Sequence, residues 1–258
     1  MKVIILGSGS SGGTPVIGSS GWGNCDPNNS KNFRTRPSII VEHKNTRLLV
    51  DTSPDLRQQL LKAKVWEFDA ILYTHAHADH VNGIDDIRAL NYYKGTSLPA
   101  YGTQSTLDEL QNRFAYVFKN YNKSSKYFRP SLTPKIITQE FTIGSITITP
   151  FNQQHGKGVS TGFRFNQFSY STDVNHLSKE ALNILKGTDT WVVDCLSEKP
   201  HPSHSHLSQT LEWVKLISPK RAIFNHLSHF FDYDTLNKKL PKNIEPAFDG
   251  MIINIPYD

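Results

Sequence analysis

Two kinds of apolar pattern alternate along this chain, and their periods differ. KVIILG (2–7), SIIVEHKNTRLLVDT (38–52), FTIGSITITPF (141–151), GFRFNQFSYST (162–172), TWVVDCL (190–196), RAIFNH (221–226) and GMIINI (250–255) are short runs rich in β-branched and aromatic residues and read as strands. The second reads as a hairpin turning at Lys44 and Asn45. Between them apolar residues recur at helical spacing. Ser53, followed by Pro54, predicts the cap of a helix whose inner face is Leu56, Leu60 and Leu61. Ser105 and Asp108 form a capping-box pattern beside Leu107, Leu110 and Phe114. SKEALNILKG predicts a helix from Ser178 to a stop at Gly187, and LSQTLEWVKLI (207–217) and YDTLNKKL (233–240) predict two more. Strand-rich halves punctuated by helices imply two sheets packed together with helices outside, because each sheet must bury both faces. The expected fold is α/β, a four-layer αββα sandwich in a single domain over residues 1–258.

Composition narrows the setting. The chain has 258 residues and 37% apolar content, enough for a real core. The first apolar run, VIIL, ends at once in GSGSSGG, too short for a secretory core, and no apolar stretch is long enough to span a bilayer. Cys25 and Cys195 cannot make a disulfide framework, which suits a reducing compartment. The expectation is a cytoplasmic protein without a membrane partner. A net charge of +5 favours an anionic substrate and leaves weak RNA contact open. Lys119, Lys123, Lys126, Arg129 and Lys135 form the one local basic group, which reads as a solvated loop rather than a phosphate-guiding rim.

The chemistry concentrates in THAHADH (74–80), where His75, His77, Asp79 and His80 crowd together. The apolar run DAILYT precedes it, and VNGIDDIRALN, with Ile84, Ile87 and Leu90 or Asn91 on one face, follows. The cluster therefore lies at a strand-to-helix turn, where alternate residues of an extended strand end face the same way. Three more candidates stand where strands are expected to end: His155 in QQHGKG, Asp173 in YSTDV and His226 in FNHLSH. Seven ligands fit two metals, with His75, His77 and His155 around one, Asp79, His80 and His226 around the other, and Asp173 as a carboxylate bridge. Imidazole and carboxylate suit two divalent ions, Zn²⁺ first and Mn²⁺ or Fe as substitutes, in an open, catalytic arrangement.

Other features read as structural. GSGSSG (7–12) matches GxGxxG, but no helix pattern follows and no acidic residue closes a second strand, so it reads as a tight loop beside the metal site. His43 and His176 have no ligand company, and Cys195 sits in an apolar strand.

THAHADH resembles the HxHxDH signature of the metallo-β-lactamase superfamily, and His155, Asp173 and His226 follow in the order of its later ligands. DTSPDLRQQLL, THAHADHVNGIDDIRALN, HPSHSHLS, NHLSHFFDYDTL and EPAFDG together resemble the branch containing the phosphoribosyl cyclic phosphodiesterases and, more widely, ribonuclease Z. One departure concerns the separate cysteine-rich zinc site of the phosphonate-pathway members, for which this chain offers only Cys25 in GWGNCDP. The resemblance implies hydrolysis of a small anionic phosphodiester, first a cyclic ribose or nucleotide phosphate, by a metal-bridging hydroxide that Asp79 helps to orient. It aligns His204 of HPSHSHLS with the general acid, leaves His206 near a helix cap, and gives His201 and His229 substrate-side positions. A homodimer is compatible with it. The rival readings are a ribonuclease Z-like endonuclease for tRNA ends, which needs a basic arm to hold RNA, and a catalytically idle nucleic-acid-binding module of the same fold.

Overall fold

The computed structural model describes residues 1–119 and 131–257. Its first half contains β1 (Lys2–Gly7), β2 (Ser38–His43), β3 (Thr46–Val50), α1 (Leu56–Ala63), β4 (Ala70–Leu72), α2 (Ala78–Val81), α3 (Ile87–Lys94), β5 (Leu98–Gly102), α4 (Gln104–Arg113), α5 (Ala115–Phe118) and β6 (Leu132–Ile136). The second contains β7 (Phe141–Ile143), β8 (Ile146–His155), β9 (Gly158–Phe165), β10 (Phe168–Ser171), α6 (Lys179–Leu185), β11 (Thr190–Asp194), α7 (Leu207–Ile217), β12 (Arg221–Asn225), α8 (Tyr233–Lys239), β13 (Ile244–Pro246) and β14 (Ile252–Asn254). These make two seven-stranded sheets, ordered β14-β1-β2-β3-β4-β5-β6 and β13-β12-β11-β10-β9-β8-β7.

Side-chain alternation explains the four layers. Successive strand residues point to opposite faces, so Val3 and Ile5 of β1 enter the core between the sheets while Ile4 and Leu6 pack under the helices of the first half. The inter-sheet core joins Ile39, Val41, Leu48 and Val50 of one sheet to Phe163, Phe165, Phe168 and Tyr170 of the other. Each such side chain, fully buried, contributes roughly 1.5–3 kcal/mol. A third cluster seats α6, α7 and α8 on the outer face of the second sheet through Leu185, Val214 and Leu236 against Trp191, Val193 and Phe224. The four-layer αββα expectation holds.

Several local expectations change. Helix α1 starts at Leu56, not behind a Ser53 cap: Ser53 Oγ donates to Gln59 Oε1 at 2.9 Å and accepts from Asp55 N–H at 3.2 Å, closing a turn before the helix. Leu56 and Leu60 are buried, but Leu61 is 58% exposed because it lies about 100° around the helix from Leu60. Helix α4 is capped by Thr103, whose Oγ1 accepts from Thr106 N–H, rather than by Ser105. Ser178 does cap α6, and Gly187, at φ +79°, ends that segment as expected. The helix after THAHADH is broken into α2, a 3-10 turn at Ile84–Asp86, and α3. Gly83 sits at the first break, where a Cβ would meet the Ser53 carbonyl at 1.9 Å, so only glycine permits that approach. Strands β5, β6 and β13 carry Pro99, Pro134 and Pro246 and give little strand signal. Lys135 lies exposed on β6, and Lys119 ends α5, whereas Lys123, Lys126 and Arg129 of the basic group fall outside the described residues. Among the described residues no helix is long and apolar enough to cross a membrane.

Candidate metal centre

Parallel strands place the site. β3 and β4 pair in parallel with Val50 beside Leu72, and β10, β11 and β12 pair in parallel with Ser171 beside Val193 and Asp194 beside Asn225. Their carboxyl ends therefore lie together, the usual position for a site in such sheets, and they release Asp51, His75, Asp173 and His226 within a few residues. Thr161 N–H donates to the Thr74 carbonyl at 2.8 Å, tying the two sheets at this edge. Asp51, Asp173 and His226 have φ of +62°, +55° and +58°. Left-handed backbone at such residues costs roughly 1–3 kcal/mol each, and persists where surrounding contacts dictate it.

All seven expected ligands converge. His75, His77, His155 and Asp173 form one group, and Asp79, His80, Asp173 and His226 another, each with its donor atoms within 4.8 Å of one another. Asp173 divides its carboxylate between them. Oδ1 lies 3.0 Å from His80 Nε2 and 3.4 Å from His226 Nε2, while Oδ2 lies 3.5 Å from His155 Nε2 and 3.8 Å from His75 Nε2. His155 Nε2 is also 3.2 Å from His77 Nδ1. Asp79 Oδ2 stands 3.5 and 3.6 Å from the Nε2 atoms of His80 and His226.

Neighbouring groups fix which imidazole nitrogen faces inward. His80 Nδ1–H donates to Asp51 Oδ2 at 2.7 Å, and Asp51 is itself held by Thr74 N–H and Thr74 Oγ1, each at 2.8 Å. Because that hydroxyl donates to Asp51, it accepts from His75 Nδ1 at 3.0 Å. His155 Nδ1–H donates to the Ser203 carbonyl at 2.7 Å. Each ring therefore turns Nε2 toward the centre, the arrangement by which outer partners orient metal-binding histidines. Arg113 steadies the same turn, donating to the Ala76 carbonyl and to Asn82 Oδ1.

The charges ask for a cation. Burial would raise the Asp173 carboxyl, but His226 and His80 outweigh it and hold it well below the usual carboxylate range. Burial would lower His80, yet Asp173, Asp79 and Asp51 raise it well above an ordinary imidazole. Burial, then His80, pushes His75 well down. A bound divalent ion takes over the neutralising role of such a proton. The fit is also visible in hydrogen bonding: among the described residues, the Nε2 atoms of His75, His80 and His226 are buried and make no well-directed hydrogen bond, although Asp173 oxygens stand 3.0, 3.4 and 3.8 Å from those of His80, His226 and His75. Buried polar atoms are rarely left so, and imidazole nitrogens with carboxylate oxygens suit divalent metals.

His204 flanks the two groups. Its Nδ1–H donates to Asp194 Oδ2 at 3.0 Å, and its Nε2 faces Asp173 Oδ2 at 3.8 Å. Burial would lower its pKa, but Asp194, by charge and hydrogen bond, and then Asp173 and Asp79, push it up to about 9. His201 lies beside it, ring centroids 5.2 Å apart, with Nδ1 at 3.2 Å from Ser203 Oγ. His206 is the N-cap residue of α7 without a side-chain capping bond. His229 has, among the described residues, no hydrogen bond or ion pair to the seven ligands; it packs on Gly23 and Phe230 with its Nε2 buried and unpartnered. Cys25 belongs to that region, its Sγ donating to the His229 and Phe231 carbonyls at 3.3 Å, and among the described residues no ligand cluster includes it. The buried Arg34 guanidinium donates to Ser228 and Phe231 carbonyls there. His43 donates toward Ser145 and stacks on Tyr257, and Cys195 is buried. The loop at Ser8–Ser10 pairs with Leu227, next to His226, as expected of a glycine-rich loop beside the site.

Two residues of this machinery were not expected, Asp51 and Asp194. Both are fully buried carboxylates ending apolar strands, LLVD and WVVD. A charge at the end of a buried run was the available clue.

Comparison with known proteins agrees with this geometry. The family model for the beta-lactamase superfamily domain matches residues 46–227. A solved diphosphatase from the PhnP family superposes with a TM-score of 0.88 at 30% identity, covering 99% of this chain and 98% of that one. An octanoyltransferase of Porphyromonas gingivalis is 31% identical over 256 residues, covering 97% of this chain and 51% of the relative. A ribonuclease Z of a Bradyrhizobium species is 29% identical over 160 residues, 60% of this chain and 51% of the relative, so the chain spans about half the length of these two curated relatives. From the turn at Thr74 to the histidine at 226, the folded site and its relatives lead to one assignment: the chain belongs to the beta-lactamase superfamily domain family and has the metallo-β-lactamase fold.

Proposed function

We propose that this chain is a two-metal phosphodiesterase that hydrolyses small anionic phosphodiesters, cyclic ribose or nucleotide phosphates first. The observation that carries the reading is Asp173, whose two oxygens each face one set of imidazoles while His204 approaches the same carboxylate from the side. His75, His77 and His155 would hold one ion, Asp79, His80 and His226 the other, and Asp173 both, with Zn²⁺ the best match to the donors and Mn²⁺ a substitute. Such a pair supplies Lewis acidity to the phosphate oxygens and lowers the pKa of water in the site. Asp79, with 12% of its side chain exposed, would accept a hydrogen bond from the attacking water. As water adds to phosphorus and the bond to the leaving oxygen breaks, His204 Nε2–H gives that oxygen its proton. Asp194 keeps the opposite nitrogen protonated and the ring aimed.

Further support comes from the diphosphatase relative, which covers nearly the whole chain. The decisive assay is hydrolysis of bis-p-nitrophenyl phosphate, cyclic nucleotides, cyclic ribose phosphates and a precursor tRNA, each with and without chelator. Chelator-sensitive turnover of the small diesters with little action on the precursor is expected. Site-specific trimming of the precursor would replace this reading with the ribonuclease Z-like one, and no turnover of any diester would leave a binding module.

Asp194→Asn gives a pH test. The general acid must be protonated, so the rate on a diester with a poor leaving group falls as pH rises through the His204 pKa. Asp194 raises that pKa, so its neutral replacement should move the alkaline limb to lower pH and cut the plateau by about 10- to 100-fold. An unmoved limb would remove His204 from that role.

A further inference from the structure

Asn175 lies two residues beyond Asp173, where the chain leaves β10. Both ends of its side chain are engaged: Oδ1 accepts from Gly156 N–H at 3.1 Å, and Nδ2 donates to the Pro202 carbonyl at 2.9 Å. Its backbone is held as well, N–H by the Gln154 carbonyl at 2.9 Å and the carbonyl by Gln209 Nε2 at 3.0 Å. Gly156 follows His155, and Pro202 precedes Ser203 and His204. One amide therefore joins the turn that carries His155, the strand exit that carries Asp173 and the loop that carries His204.

The contact between these pieces is close. A Cβ on Gly156 would stand 3.2 Å from Ser203 Cβ, and the Ser203 carbonyl accepts a hydrogen bond from His155 Nδ1–H. The loop before α7 has no regular secondary structure from Lys199 to Ser205, so His204 is placed by bonds to its neighbours: on one side Leu196 N–H donates to the Ser205 carbonyl at 3.0 Å and Ser205 Oγ to the Asp194 carbonyl at 2.5 Å, on the other His155 Nδ1–H donates to the Ser203 carbonyl at 2.7 Å. The bond to Asp194 fixes one ring nitrogen, and the ring stacks on His226 at 4.6 Å between centroids, so where Nε2 stands follows the position of the loop backbone. Asn175 adds, at the Pro202 carbonyl, the bond that joins the upstream side of this loop to the Asp173 strand exit as well as to the His155 turn.

We propose that Asn175 is a positioning residue for proton transfer, setting where His204 Nε2 stands relative to the leaving oxygen by tying the His204 loop to the His155 turn. This rests on the reading of His204 as general acid. Neither a metal ligand nor a substrate contact is assigned to Asn175 itself.

The test compares Asn175→Ala and Asn175→Asp with His204→Ala on two substrates, a p-nitrophenyl diester and a cyclic ribose diester, with metal content measured on each purified protein. Asn175→Ala should lose about 10- to 100-fold on the ribose diester, the scale on which small misplacements act. It should stay within about threefold of wild type on the aryl diester, whose leaving group departs unaided, with metal content unchanged. Asn175→Asp keeps the acceptor for Gly156 but loses the donor to Pro202, so it should share the selective defect. Equal losses on both substrates, loss of metal, or no loss on either would overturn the proposal. If His204→Ala itself shows no leaving-group dependence, the general-acid reading falls and takes this one with it; a selective His204→Ala defect beside an unselective Asn175→Ala defect sinks the inference alone.

Discussion

Asp173→Ala should empty both metal positions at once and all but abolish turnover. The wild-type protein is expected to carry two ions per chain. Asp173 is fully buried, and its two oxygens are the negative charge between the two sets of imidazoles. Without it, two cations held close together would repel each other with nothing between them, and the His80 and His226 nitrogens would lose their nearest carboxylate. A bound metal supplies several kcal/mol of transition-state stabilisation, so at 1.36 kcal/mol per tenfold the activity should fall on the order of 10³ or more. Elemental analysis of gel-filtered protein, beside a diesterase assay, reads both effects. Asp173→Asn keeps the shape and removes only the charge, so it should behave like the alanine variant if charge is what matters. A wild type saturated at one ion per chain, or an alanine variant that retains two, would refute the bridging assignment.

His204→Ala should act on rate and leave the metals in place. The imidazole stands 3.8 Å from Asp173 Oδ2 and stacks on His226 at 4.6 Å between centroids, but its hydrogen bond runs outward to Asp194, so its loss removes no donor atom from either set. What disappears is the proton given to the leaving oxygen, typically worth about 10² to 10⁴ in rate. The loss should be largest on a ribose or alkyl diester, whose alkoxide leaves poorly, and smallest on an aryl diester. Metal loss, or an equal defect on both substrates, would pass the role to His201, whose ring lies 5.2 Å from that of His204. His229 is a weaker heir, because it packs on the Gly23 loop.

The clustering of the candidate ligands was legible because these residues stand where strands were expected to end. His226 follows the largely apolar stretch AIFN, whereas His155 and Asp173 follow polar strand ends, NQQ and SYST, and stand out by the alternating strand pattern upstream; THAHADH declares itself by density alone. The helix starts were less legible. Ser53, Pro54 and Ser105 carry capping chemistry, yet Ser53 closes a turn with Gln59 and Thr103 takes the cap that Ser105 could have held. Local propensity is worth only about 1 kcal/mol at such positions, and packing readily overrides it. Strands β5, β6 and β13 left little trace because proline and short length erase the alternation that announces a strand.

By itself the sequence determined which side chains are available for the chemistry, the period of nearly every long element and hence the two-sheet layering, since apolar alternation and helical spacing are local properties of the chain. Only the tertiary structure decided how those side chains are aimed. The Asp51 bond that turns His80 spans β3 and the ligand turn, the Asp194 bond that turns His204 spans β11 and the loop before α7, and Asn175 joins three separate segments. The left-handed backbone of Asp51, Asp173 and His226 is likewise imposed from outside, by sheet ends that meet only when both halves fold. Orientation depends on partners distant in sequence, and those partners come within bonding distance only after the core has closed.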